Sequence, residues 1–177
     1  VFEHQGERLE VITLHEGKDN ALLYFAGSGE LVSDTAIDFL NRFASHTIYL
    51  VNYRGYGNSS GKPSEKSFNA DALFIFDSIQ PQHKHITVFG RSIGSGVATY
   101  LASQRTIDQL VLVTPYDSIL SVAQAEYPFF PIHWLLRDTF DSISRVKDFK
   151  TSTLILIAEF DELIPYQNSK RMIDVFP

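Results

Sequence analysis

The sequence predicts an α/β fold, doubly wound about a mostly parallel sheet, with a small helical insertion. Three observations point to it. Short apolar runs alternate with longer amphipathic ones along the chain. The short runs are continuous rather than alternating, as strands buried on both faces require. Residues 85–104 read as a buried strand, a tight glycine-bounded turn and a helix, the unit from which such sheets are wound.

In chain order, residues 9–14 form a first strand with Gly17-Lys18-Asp19-Asn20 as its turn, and 21–26 is a wholly apolar, buried strand. The loop Gly27-Ser28-Gly29-Glu30 leads to a helix over 33–44. A strand over 47–52 precedes a helix over 67–79, whose start is marked by Pro63-Ser64-Glu65. Strands over 86–89 and 110–113 flank the helix after Ser92, and a last strand, 153–158, precedes a last helix, 166–174. In the long connection before that strand, Ile132, Leu135, Leu136, Thr139 and Phe140 follow helical spacing beyond Pro128 and Pro131. They predict a helix with its apolar face on the sheet. Residues 118–150 are thus a helical insertion and a candidate lid, with Phe129, Phe130 and Trp134 as candidate lining of an acyl or apolar pocket. With no repeat or linker, residues 1–177 read as one domain, and a start at Val1 with a stop just after a helix leads us to expect truncation at both ends.

Composition excludes several classes. A chain of 177 residues can bury roughly 70% of its unfolded surface without staples. It has no cysteine, hence no disulfide, thiolate metal site or cysteine nucleophile, and no hint of compartment. Fifteen basic against twenty-one acidic side chains give a net charge of −6 without a basic cluster, which argues against nucleic acid as a partner. No run approaches the ~18 apolar residues of a membrane span. A soluble domain is expected, cytoplasmic by default, with membrane attachment of a longer parent protein left open. Acidic residues and histidines do not cluster at ligand spacing, so neither metal nor cofactor is expected.

Gly90-Arg91-Ser92-Ile93-Gly94 has the layout of a nucleophile elbow, where a serine on a sharp strand-to-helix turn projects alone above the sheet. The plain alternative is a βα turn of small residues. Gly57-Asn58-Ser59-Ser60-Gly61 also satisfies G-x-S-x-G, but it runs into Lys62-Pro63 instead of a helix, so Ser59 reads as a loop serine. Ser92 is the candidate nucleophile. The amides of Ile93 and Ser28 are candidate oxyanion donors. Neither G-x-G-x-x-G nor a phosphate loop can be completed at Gly27 and Gly29.

Asp161, just after the last strand, is the candidate acid in the order Ser…Asp…His. Asp117, after the preceding strand, competes, although a helix N-cap with Ser118 at the start of the insertion fits it better. His4, His15, His46, His83, His85 and His133 all precede Asp161. His133, in the insertion, is the one placed to swing over the site, against a plainer structural role.

With these residues in place, the chain resembles the α/β-hydrolase superfamily, particularly its depalmitoylase-like and prolyl-oligopeptidase-like esterases. The resemblance rests on Gly90-Arg91-Ser92-Ile93-Gly94 and on Asn52-Tyr53-Arg54-Gly55-Tyr56-Gly57-Asn58-Ser59-Ser60-Gly61-Lys62-Pro63-Ser64-Glu65, similar to the family's D-Y-R-G-Y-G-x-S-x-G-x-P-S-E. Thr114-Pro115-Tyr116-Asp117-Ser118 and Asp161-Glu162-Leu163-Ile164-Pro165 extend it. It implies Ser92 as nucleophile, Asp161 as acid and Ser28 and Ile93 as oxyanion donors, with the histidine beyond Pro177. Ala26 stands where the family usually has a histidine, and Asn52 replaces a common aspartate. The expected function is a serine hydrolase, carboxylesterase or thioesterase, that acts on a small-molecule or acyl substrate through an acyl-serine intermediate. The alternative, because no histidine follows Asp161, is a non-catalytic binding module or inactive remnant of the same fold.

Overall fold

The computed structural model describes residues 1–146, 149–159, 161 and 163–176. A two-residue turn, Gln5 and Gly6 at φ 53° and 80°, folds β1 (Phe2–His4) against β2 (Glu7–Leu9). The run expected as one strand over 9–14 is broken, with β2 ending at Leu9 and β3 (Val11–Leu14) starting after Glu10. Glu10 turns its backbone away: its N–H donates to Ser59 Oγ at 2.8 Å, and its carbonyl accepts from the Asn52 amide at 3.1 Å.

The central strands are β4 (Asn20–Phe25), β5 (His46–Val51), β6 (His85–Arg91), β7 (Gln109–Val113) and β8 (Ser152–Leu156). The sheet order is β3-β5-β4-β6-β7-β8, with β3 antiparallel to β5 and every other pair parallel. Helices α1 (Val32–Arg42), α2 (Glu65–Ile79) and α3 (Ile93–Gln104) make the crossovers. Phe39 of α1 packs with Leu22, Tyr24, Ile48 and Leu50 on one face of the sheet. Ile79 of α2 and Val97 and Leu101 of α3 pack with Leu23, Val88 and Leu110 on the other, so the sheet is wound on both sides as expected. Helix α2 starts before Ser67 because Ser64 caps it: Ser64 Oγ accepts from the Ser67 amide, and Ser67 Oγ accepts from the Ser64 amide.

The insertion departs from expectation. A helix, α4 (Ile119–Glu126), does open the insertion, capped by Ser118 rather than by Asp117, but the helix expected beyond the prolines shrinks to the single turn α5 (Ile132–Leu135). Pro128 stands just past the end of the first, and the second stops where Leu136 turns extended at ψ 120°, ahead of a distant carboxylate that holds the chain beyond it. Glu65 Oε2 accepts from the amides of both Thr139 and Phe140 at 2.9 Å, which takes them out of any helical ladder. Phe140 turns to φ 41° and buries its ring near Phe68, while Leu135, expected on the sheet, is exposed. The chain closes with α6 (Tyr166–Val175).

Strand register places the functional edge. Phe25 is level with Val51 and Gly90, Arg91 with Val113, and Val113 with Leu156. The segments after β4, β6, β7 and β8 therefore leave the sheet along one line, where open α/β sheets place their ligands. Helix α3 is drawn hard against this edge. A Cβ on Gly94 would fall well inside van der Waals contact of the Phe25 carbonyl, and one on Gly90 inside that of the Gly94 carbonyl. We expect Gly94→Ala to cost about 3 kcal/mol or more of stability, because its obstruction is backbone that cannot rotate away. Urea unfolding of the two proteins measures the difference, and a loss below about 1 kcal/mol would show that α3 can be displaced cheaply.

Candidate active site

Ser92 joins β6 to α3 at φ 50° and ψ −120°, a conformation that costs an L-residue about 1–3 kcal/mol. Three hydrogen bonds hold it there. Its amide donates to the Val113 carbonyl at 2.9 Å, and its carbonyl accepts from the Ser95 amide at 2.8 Å and Ser95 Oγ at 2.6 Å. Thr114, at the end of the neighbouring strand, is at φ 45°, unusual for a β-branched residue. Both side chains line a cavity of about 450 Å³ together with Arg91, Asp161, Leu163 and Ile164.

Ile93 opens α3, where an amide has no intrahelical acceptor. Gly27 lies beside the serine: a Cβ built on it would sit 3.6 Å from Ser92 Cβ. The loop after it is shaped by Glu30, whose role the sequence reading missed. Glu30 Oε2 accepts from the Gly27 amide at 3.0 Å and from Arg91 Nη1 at 3.4 Å, while Oε1 accepts from Tyr24 OH at 2.8 Å and Thr35 Oγ1 at 2.6 Å. With Gly27 engaged, the amides of Ser28 and Ile93 take no acceptor among the described residues. Burial first, and then the bond to Glu30, push the Tyr24 phenol far above its ordinary value, so it remains a donor. On the other side Tyr53 OH donates to the Ala26 carbonyl at 3.0 Å. A carboxylate three positions past a loop glycine is the local signal that could have pointed to Glu30.

Asp161 is half-buried, and its Oδ1 accepts from the amides of Leu163 at 2.9 Å and Ile164 at 2.8 Å. Its Oδ2 has no hydrogen-bond partner among the described residues. Asp117 is committed elsewhere. Its Oδ1 accepts from the Ser118 amide and Asn168 Nδ2, and its Oδ2 from Arg171 Nε at 2.7 Å, so it ties α6 to the start of the insertion. Burial alone would raise the Asp117 pKa, but the bonds from Arg171, Asn168, Ser118 and Ser121 outweigh it and hold the carboxyl below its usual range. Ser59 is a buried loop residue that donates to the Asn52 carbonyl at 2.8 Å.

Among the described residues, no histidine lines the cavity that holds Ser92 and Asp161. His4 bonds Asp71, His15 the Leu40 carbonyl, His46 Ser45, His83 Tyr49, and His85 Asp108. His133 is exposed beside Trp134. Phe129, Phe130 and Trp134, expected to line the pocket, are exposed and absent from the cavity wall, because the broken insertion carries them outward.

A model of the alpha/beta hydrolase fold matches residues 25–137. An uncharacterized protein of Mycobacterium tuberculosis is 34% identical over 131 residues, which cover 72% of this chain and 47% of that one. The lysophosphatidylserine lipase ABHD12 of Bos taurus is 30% identical over 177 aligned residues, covering 87% of this chain and 44% of the lipase. The chain thus spans about half the length of the curated relatives it matches. Among solved structures, an alpha/beta hydrolase enzyme from a Medee basin deep-sea metagenome library superposes with a TM-score of 0.78 at 15% identity, covering 99% of this chain and 85% of that one. At that identity the likeness is one of fold.

Two outcomes are expected here. Glu30→Ala strands the buried Tyr24 hydroxyl and the Gly27 amide, and should lower stability by about 3 kcal/mol, read as a fall in Tm. Asp117 has a folded pKa below its unfolded value of about 3.9. Its stabilisation is therefore complete above that value and lost as pH falls through the folded one. In acid titrations of stability, Asp117→Asn should remove this part of the pH dependence; an unchanged profile would show that Asp117 contributes none.

Proposed function

Because the chain belongs to the alpha/beta hydrolase fold family, we propose that the protein is a serine hydrolase of acyl esters or thioesters, with Ser92 as nucleophile and Asp161 as the acid of the triad. The observation that carries this reading is the Ser92 turn: a non-glycine residue at φ 50°, between a buried strand and a helix N-terminus, in a cavity it shares with Asp161. The third member is a histidine C-terminal to Asp161 in the whole protein, in keeping with the chain order Ser…Asp…His. Asp161 holds its loop through Oδ1 and has Oδ2 to receive the imidazole N–H.

In the proposed reaction the histidine takes the Ser92 proton as Oγ adds to the acyl carbonyl carbon. The amides of Ser28 and Ile93 then receive the negative oxygen. Collapse of the adduct breaks the bond to the alcohol or thiol, which leaves with the proton from the histidine. Water, deprotonated by the same base, releases the acid and restores Ser92. That one relative is named a lysophosphatidylserine lipase supports a lipid-like acyl ester as substrate. A cavity without a histidine favours the competing reading, a non-catalytic binding module.

Fluorophosphonate labelling followed by intact-mass measurement separates the two. In the protein extended to the length of its relatives, one adduct should form and map to Ser92, and Ser92→Ala should lower ester turnover by about 10⁵-fold or more. The 177-residue chain, with no histidine among the described residues that line its cavity, should label about 10²–10⁴-fold more slowly. Turnover that survives Ser92→Ala, or no adduct on the extended protein, sinks the hydrolase reading and leaves the binding module.

A further inference from the structure

The segment 127–137 is an aromatic tip on a pinned stalk. The two sides of the stalk are held together at its base: the Ile119 amide donates to the Thr139 carbonyl at 2.8 Å, and the Ser142 amide to the Asp117 carbonyl at 2.9 Å. The stalk rises from the end of β7, the edge of the sheet that carries Ser92. At its summit Phe129 is 96% exposed, Trp134 82% and Phe130 63%, so these rings cover no part of the core.

We infer that this tip docks on a zwitterionic phospholipid surface. Three features select that occupant. Tyr127, Phe129, Phe130 and Trp134 are aromatic residues, whose large flat side chains settle at the boundary between headgroups and acyl chains. Four amides of the tip bond within it: Phe130 donates to the Tyr127 carbonyl, Ile132 to Phe130, Trp134 to Pro131 and Leu136 to Ile132, while Pro128 and Pro131 have no N–H. Each donor engaged or absent in this way lowers the cost of entering a poorly hydrated layer. Finally, between Glu126 and Asp138 there is no carboxylate, in a chain with twenty-one acidic side chains and a net charge of −6. The tip can thus enter the headgroups without desolvating an anion, Arg137 and His133 can donate to phosphate, and the acidic remainder disfavours a strongly anionic membrane.

For its purpose this inference rests on the hydrolase reading, since it would bring an acyl ester to the edge that bears Ser92; docking itself is measured without turnover. Trp134 is the single tryptophan of the chain, so its fluorescence reports the tip alone. On titration with phosphatidylcholine vesicles, Trp134 emission should move to shorter wavelength and be quenched by brominated acyl chains. The double variant Phe129→Ser, Phe130→Ser should partition at least about tenfold more weakly, with its melting unchanged because both rings are already exposed. The variant Ser92→Ala should dock as the parent does; docking without any Ser92 adduct would keep this inference and reject the hydrolase. Unchanged emission at saturating lipid, a double variant that binds equally well, or a blue shift in buffer that grows with protein concentration would each overturn it, the last by making the tip a contact between copies of the chain.

Discussion

Everything at the candidate site depends on how closely α3 lies against the ends of β4 and β6. Gly90 and Gly94 allow backbone to meet backbone there, where any side chain would collide with a carbonyl. With the helix that close, a single residue, Ser92, has to turn the chain between β6 and α3, and it does so at φ 50°. The strain of about 1–3 kcal/mol is outweighed by the burial of Val97, Ala98 and Leu101 on the same helix, each large apolar side chain contributing about 1.5–3 kcal/mol. Packing of the core thus maintains a serine in a conformation its own backbone disfavours.

The long glycine-rich motif after β5 has a mechanical part in the same arrangement. Arg54 pairs with Asp71 through Nε at 2.7 Å and Nη2 at 2.6 Å, which anchors the loop to α2, and His4 joins the same carboxylate from β1. Tyr53 reaches the Ala26 carbonyl, just ahead of Gly27, and Glu30 closes the loop from the other side. The departure of Asn52 from the aspartate common in the family has a local reason. Asn52 Nδ2 donates to Glu10 Oε2 at 2.6 Å, and an aspartate there would set a second carboxylate against Glu10.

Local features of the fold were readable and nonlocal ones were not. Continuous apolar runs marked the central strands to within a residue or two, because burial on both faces leaves a signature inside each run. The Ser92 turn was readable for the same reason: its glycines and its flanking strand and helix are adjacent in sequence. The second half of the insertion was misread in part because Glu65 takes the amides of Thr139 and Phe140 across a separation of 74 and 75 positions. Helical spacing from 132 to 140 reflected apolar content, and a window of that length cannot register a carboxylate from another helix. Asp117 was read as the cap of the insertion's first helix, but Ser118 takes that place, and the ties of Asp117 to Asn168 and Arg171 of α6 lay outside the reach of local capping rules.

The strand order has a consequence for synthesis of the chain. Strand β4 leaves the ribosome before one of its neighbours, β6, which follows only after α1, β5 and α2. Until β6 and α3 emerge, one edge of β4 and the apolar face bearing Leu23 and Phe25 await their partners. Parallel pairing of this kind closes slowly, since long loops are ordered before any contact rewards them. The nascent chain therefore passes through an interval in which a strand destined for full burial is open to other chains, and pairing with β6 ends that interval.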